Sequence, residues 1–253
     1  METFKGFLFT AFVIALAHTE DYCDKKLCPV GTHIGCRHDG KFSPSCPKDV
    51  SLVKIDKSLK DYIVNGFNEK RNFIAGGGNH IHKSACRMAT MQWDYELAKL
   101  AELNVRQCEM KQEACHNTMA YPMSGQNLAW KTYSNEPDYP ALVESVVQMW
   151  YDEVNHSKME YIEKYPDHDT GAVIAHFTAM VADRNFRLGC AASTYSMAGE
   201  TYMAFLMACN FAFTNKIGEP IYTDCTTPAE KCTTGKNPKY PNLCSISEEY
   251  DVS

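Results

Sequence analysis

Apolar side chains recur at helical spacing in four stretches of the chain. Leu59, Ile63 and Phe67 fall four apart, behind Asp56 and Ser58, either of which can accept the free N–H groups of a first turn, and Gly76-Gly77-Gly78 ends the run. A second helix fits Asp94 to Cys108, with Leu97, Ala101, Val105 and Cys108 along one stripe. A third opens at Pro140, whose missing N–H costs nothing in a first turn, and lines up Leu142, Val146 and Trp150. The fourth is expected over Thr170 to Ala182, burying Val173, Phe177, Met180 and Val181; His176 shares a face with Met180 and should border that core. The period then changes. Arg187–Tyr195 and Tyr202–Phe211 are β-prone, and Ser196–Glu200, with Gly199, reads as the turn of a hairpin. Helices packed on a small antiparallel sheet make an α+β layered fold.

The two ends of the chain read differently. Residues 1–17 combine Lys5, the apolar run Gly6–Ala17 and the small-residue pattern Ala15-Leu16-Ala17, the marks of a secretory signal peptide. No later run approaches the about 18 apolar residues of a membrane span. Cleavage would remove Glu2 and Lys5 and leave the formal charge at −6. Such a chain attracts neither phosphate backbones nor anionic membranes, so nucleic acid and integral membrane association are not expected. The 12 cysteines are Cys23, Cys28, Cys36, Cys46, Cys86, Cys108, Cys115, Cys190, Cys209, Cys225, Cys232 and Cys244. An even count in an oxidising compartment implies six disulfides, and the absence of any C-x-x-C pair argues against zinc ribbons and thioredoxin-like chemistry. Residues 18–50 read as a disulfide-pinned arm, and 216–253, rich in Thr, Pro, Lys and Gly, as a cysteine-containing extension without a core of its own.

Five blocks stand in order between these ends: Cys115-His116-Asn117, Gly125-Gln126-Asn127-Leu128, Met149-Trp150-Tyr151-Asp152-Glu153, His176 to Cys190 (HFTAMVADRNFRLGC) and Cys209-Asn210-Phe211. Together they resemble the cysteine-rich secretory, antigen 5 and pathogenesis-related 1 (CAP) superfamily, in its insect antigen 5 branch, whose members are known as venom and salivary allergens. The resemblance implies an α-β-α sandwich over residues 51–215. It also implies the pairs Cys23–Cys36, Cys28–Cys115, Cys46–Cys108 and Cys190–Cys209. The other four cysteines lie outside that pattern, and we take Cys225–Cys232 and Cys86–Cys244 as a guess.

The family's cleft carries two histidines and two acids, and the matching positions here are His116, Gln126, Glu153 and His176. The family's G-E-N-L reads G-Q-N-L, so Gln126 can neither carry charge nor act as a base. Two imidazoles and one carboxylate could still hold zinc with an open position, as a metal-assisted hydrolase requires. The structural alternative is that these groups serve a polar network at the core edge. A second departure is Phe67-Asn68-Glu69-Lys70-Arg71, where the family has H-N-x-x-R; core packing accounts for Phe67.

Three function classes follow. The first is a non-enzymatic, monomeric extracellular binding protein that holds a small apolar ligand or a host protein. The second is a zinc-dependent hydrolase using His116, His176 and Glu153. The third is an inhibitor of a receptor, channel or protease acting through surface loops. Motifs for nucleotide binding, serine hydrolysis and HExxH zinc proteases are absent from the sequence. Asn155-His156-Ser157 is a glycosylation sequon that a helix would partly hide. His80-Ile81-His82 reads as a solvated loop. Arg37-His38-Asp39-Gly40 occupies the arm region where some blood-feeding fly relatives carry Arg-Gly-Asp, but the middle residue here is histidine.

Overall fold

The computed structural model describes residues 20–252; the signal peptide expected at 1–17 lies outside them. The centre of the fold is a sheet of strands β1 (Ser51–Leu52), β2 (Gln92–Trp93), β3 (Gly125–Tyr133), β4 (Arg187–Ser196) and β5 (Met203–Phe211). Its order is β1-β4-β5-β3, antiparallel throughout, with β2 adding a short parallel bridge to β4. The β4–β5 hairpin is the one expected, turning at Gly199 with φ +80°. β3 is new. Its first five residues are all buried, so it lacks the apolar–polar alternation by which a half-buried strand is recognised.

The α-β-α layering follows from that sheet. Helix α2 (Tyr95–Val105) packs alone on one face, where Ala101 and Val105 meet Leu128, Ala191, Leu206 and Ala208. On the other face α1 (Lys57–Ala75), α3 (Tyr139–Asp152) and α5 (Ala175–Val181) enclose the main core, with Phe67, Trp150 and Phe177 set against Phe205, Met207 and Phe211. Asp56, Asp94 and Asp138 cap α1, α2 and α3 by accepting backbone N–H groups. A short helix α4 (Met159–Glu163) connects α3 to α5.

Two helix boundaries differ from expectation. α2 stops at Val105, because the disulfide-bonded Cys108 takes the left-handed conformation (φ 57°) and leaves the stripe. α5 begins only at Ala175; Gly171 has φ 77° and Val173 is 59% exposed rather than buried, so the segment from Thr170 enters as a loop. Phe67 packs in the core against Trp150 and Phe211, and the two residues kept from the family pattern serve the backbone. Asn68 bonds both ways with Met91, and the wholly buried Arg71 guanidinium donates to the carbonyls of Ala89, Met180 and Ala182. Burial pushes its pKa down to about 10.

Four disulfides are those the resemblance implied: Cys23–Cys36, Cys28–Cys115, Cys46–Cys108 and Cys190–Cys209. The guess for the other four is corrected to Cys86–Cys225 and Cys232–Cys244. The cause is a strand-like crossing that spacing cannot reveal. Cys86 N–H donates to Thr223 O and Cys225 N–H to Ser84 O, which sets the two sulfurs side by side. The C-terminal segment also contributes core: Ile221, Tyr222, Tyr240 and Leu243 belong to the main apolar cluster. No helix among the described residues is long and apolar enough to cross a membrane.

Candidate functional site

Strand alternation decides how the four cleft residues are placed. On β3, Gln126 and Asn127 are neighbours and so point to opposite faces of the sheet. Gln126 reaches the α2 side, where its Nε2 donates to Glu113 Oε1 (2.9 Å) and Asn210 Oδ1 (2.8 Å). Asn127 reaches the other side and donates to the His176 carbonyl at 3.1 Å.

The four residues consequently fall into two pairs. In one, Glu113 Oε1 approaches His116 Nδ1 at 3.0 Å as an ion-pair contact rather than an aligned hydrogen bond, and both ring nitrogens of His116 are buried without a hydrogen-bond partner. Burial alone would raise the Glu113 pKa; the neighbouring His116 and the Asn104 amide outweigh it and hold the carboxyl below its usual range. In the other pair, Glu153 Oε1 lies 2.5 Å from His176 Nδ1, while its Oε2 accepts the backbone N–H groups of His176 (2.9 Å) and Phe177 (3.0 Å). His176 stacks on Trp150 at 6.2 Å between centroids. His176 thus borders the core as expected, and Gln126 joins the first pair through Glu113.

Zinc is the group the fold family implies. The orphaned His116 nitrogens suit a cation, and each histidine has a carboxylate behind it, as metal-bound imidazoles do. A catalytic zinc, however, needs three protein ligands. Among the described residues no group of three or more His, Cys, Asp or Glu side chains is placed to hold an ion. The donors present do not complete the set, and no chemical step is derived through a metal.

Asn155 is exposed, its side chain turned to Asp152 O (2.9 Å), so the helix leaves the acceptor asparagine accessible while Ser157 of the sequon is buried. His80 is exposed, but His82 is buried: its Nδ1 contacts Asn79 Nδ2 at 2.7 Å and its Nε2 the Ser157 hydroxyl at 3.1 Å, and burial lowers its pKa to about 4. The solvated reading of that loop holds for His80 and Ile81 but not for His82. Sequence reasoning missed Glu113, Asn104 and Asn210; an acid three residues before His116 was the one available signal for Glu113.

A wider open space lies elsewhere, in a cleft of about 620 Å³ between the start of α1, α2 and the outer edge of β4. Its walls include Leu52, Ile55, Trp93, Ala98 and Ala191, and its rim carries Lys54, Lys57, Lys60 and Lys99. A smaller groove of about 220 Å³ separates α1 from α3 over Ile63, Val143 and Val147.

A disulfide-laced sandwich with paired histidines and carboxylates is what the sequence resemblance implied, and the comparisons agree. Residues 64–211 match the cysteine-rich secretory protein family, CAP, and the chain belongs to it. It is 38% identical to Venom allergen-1 of Aedes albopictus over 242 residues, covering 95% of this chain and 93% of that one. It is 36% identical to the antigen 5 like allergen Cul n 1 of Culicoides nubeculosus over 192 residues, covering 72% and 87%. Among solved structures, NaASP2 with Zn2+ shares the fold at a TM-score of 0.58 and 22% identity, covering 79% of this chain and all of that one.

Proposed function

We propose that the chain is an extracellular, non-enzymatic binding protein of the antigen 5 type, which acts by occupying a partner rather than by turning over a substrate. One observation carries this reading. Glu153, the acid left in the family quartet, is committed through both oxygens to His176 and to the first turn of α5, and the second acid is an amide, Gln126, tied to Glu113 and Asn210. A general base needs a basic lone pair within reach of a substrate proton; the Gln126 amide has none, and three of the about four acceptor sites of the Glu153 carboxylate are already taken. The cleft between α1 and α2 falls within the about 300–1,000 Å³ usual for binding sites and joins apolar walls to a charged rim. Secretion agrees with the six disulfides and the leader pattern of residues 1–17.

Native mass spectrometry of the disulfide-intact secreted protein, before and after chelator and after organic extraction, tests it. The expected result is a bound apolar mass or a bound polypeptide that survives chelation. A stoichiometric zinc mass, accompanied by zinc-dependent hydrolysis lost in Glu153→Gln, would replace binding with catalysis. NaASP2 was solved with Zn2+, which makes the chelator arm necessary.

A further inference from the structure

We propose that the cleft between α1 and α2 receives an extended segment of a partner protein in which an apolar residue is flanked by Asp or Glu. The inference rests on the binding reading above and supplies the partner's chemistry. It is carried by the floor, the walls and the rim of the cleft together.

The floor is a gap in the sheet edge. In an antiparallel ladder the N–H and C=O of one residue point to the same edge, and successive residues alternate between edges. On β4, Leu188 O accepts the Asp94 N–H (2.7 Å) and Ala192 O accepts the Val53 N–H (2.9 Å), so the even-numbered residues face outward, away from β5. The β2 register ends at Trp93↔Leu188 and the β1 register at Leu52↔Ser193. Cys190 lies between them. By that alternation its N–H and C=O face the outer edge, beyond the register of either short strand, and the residue lines the cleft at 2% exposure. A backbone donor and acceptor left between two strand ends is a place for a further strand residue to pair. One residue of an extended chain satisfies both at once, the smallest form of strand addition to an open edge, whereas a hydrocarbon tail satisfies neither.

The walls and rim specify the side chains. Leu52, Ile55, Trp93 and Ala98 are partly exposed around the gap and suit an apolar residue entering beside Cys190. The rim holds Lys54, Lys57, Lys60 and Lys99 against Asp56 and Glu102, an excess of two positive charges on a chain whose net charge is −6. The acids are already engaged, Asp56 by the Leu59 N–H (3.0 Å) and Glu102 by Arg106 (2.6 Å). Lys57 pairs with Asp61, Lys60 donates to the Tyr95 hydroxyl, and Lys99 leans on the Tyr22 ring at 5.3 Å. Neither Lys54 nor Lys99 has a carboxylate within ion-pair distance among the described residues. Such a rim draws acidic segments in and turns basic ones away.

The test is selection of random dodecapeptides displayed on phage against the disulfide-intact full chain, followed by fluorescence polarisation with the labelled winner. Expected is enrichment of an apolar residue between acids. Binding should fall at least tenfold in the Lys54→Glu/Lys99→Glu variant, tenfold when the apolar residue of the peptide is N-methylated, and steeply between 50 and 300 mM salt. Both lysines are exposed, so that variant should fold; Ala98→Phe, which plugs the cleft, is the second blocking variant, with its melting transition recorded. Enrichment of basic or uncharged peptides overturns the proposal, as does acidic binding that ignores the lysine variant. Saturable binding of a labelled long-chain carboxylate, blocked by Ala98→Phe and with no peptide enriched, overturns the peptide assignment while leaving the binding reading intact. If no peptide is enriched and native mass spectrometry finds no bound partner, both readings fall.

Discussion

Glu153 is the N-terminal cap of a helix it does not belong to. Its Oε2 accepts the N–H groups of His176 and Phe177 while Oε1 holds His176 Nδ1, and Ile174, at the cap position of α5, has no side-chain acceptor to do this work. A carboxylate there also suits the positive end of the helix. Glu153→Ala should destabilise the fold by about 1–3 kcal/mol, read as a lower urea midpoint at unchanged slope. Glu153→Gln retains an acceptor and should cost less. Unchanged stability in the alanine variant would remove the capping role and return Glu153 to the list of free bases.

Glu248 ties the C-terminal segment to the body. Its two oxygens accept the backbone N–H and hydroxyl groups of Thr233 and Thr234 and the Arg87 guanidinium at 2.6 Å, with its side chain fully buried. Burial alone would raise its pKa, but these donors overcome it and bring the value from 4.5 down to about 2. A depressed carboxyl stabilises the fold above its unfolded pKa and loses that contribution as pH falls through the folded one. The chain should therefore lose stability between pH 4.5 and about 2, a limb that Glu248→Gln should flatten. At pH 7 that variant should be less stable by about 3 kcal/mol. Thermal melts of both proteins across that range decide it.

Glu96 has the opposite sign. Burial first, then the hydrogen bond and charge of Glu20 and the charge of Asp94, raise its pKa to about 7, while the Tyr22 hydroxyl, donating at 2.8 Å, pulls the other way. The folded state holds this proton more tightly than the unfolded one, so the contribution is complete below 4.5 and lost as pH rises through about 7. Because Glu20 and Tyr22 belong to the N-terminal arm, the melting temperature should decline from about pH 4.5 to about pH 7, level off above it, and the arm should loosen over that range. Glu96→Gln should abolish that slope; a persistent slope would place its origin elsewhere.

The two C-terminal disulfides differ in what they enclose. Cys86–Cys225 spans a sequence separation of 139 and Cys232–Cys244 one of 12. Chain-entropy arguments give about 5 kcal/mol for the long loop and about 3 for the short one. Replacing each pair by serine should cost stability in that order, and mass mapping of non-reduced peptides should recover both links. A Cys86–Cys244 peptide would restore the guess made for the four cysteines left over from the family pattern.

What was legible in the sequence was whatever short-range pattern controls. Asp56 and the glycines after Ala75 bracket α1 as expected, and the Gly199 turn joins β4 to β5. The failures share one cause, a tertiary constraint that no window of residues contains. β3 is buried on both faces, Cys108 leaves the α2 stripe to reach Cys46, and Cys86 meets Cys225 because a bridge between Ala85 and Asp224 sets them side by side. The cleft followed the same rule. His116, Gln126, Glu153 and His176 could be named from motifs, but their division into two pairs depends on β3, a strand the motifs crossed without revealing it.

Gly189 marks where α2 comes closest to the sheet. A Cβ built there would lie 2.1 Å from Ala98 N and 2.5 Å from Asp94 O, backbone atoms that cannot swing aside as a side chain can. The residue is needed for clearance. The same approach brings Ala98 up to β4 and closes one wall of the lysine-rimmed cleft, so the tight contact and the open space beside it are two consequences of one glycine. Gly189→Ala should destabilise the protein by about 3 kcal/mol or more, the upper range for overpacking, because either α2 or β4 must move. If the variant folds at all, the shift should widen the cleft and weaken whatever it holds. A variant as stable as the parent, with unchanged ligand affinity, would show that α2 is held less tightly to β4 than these distances imply.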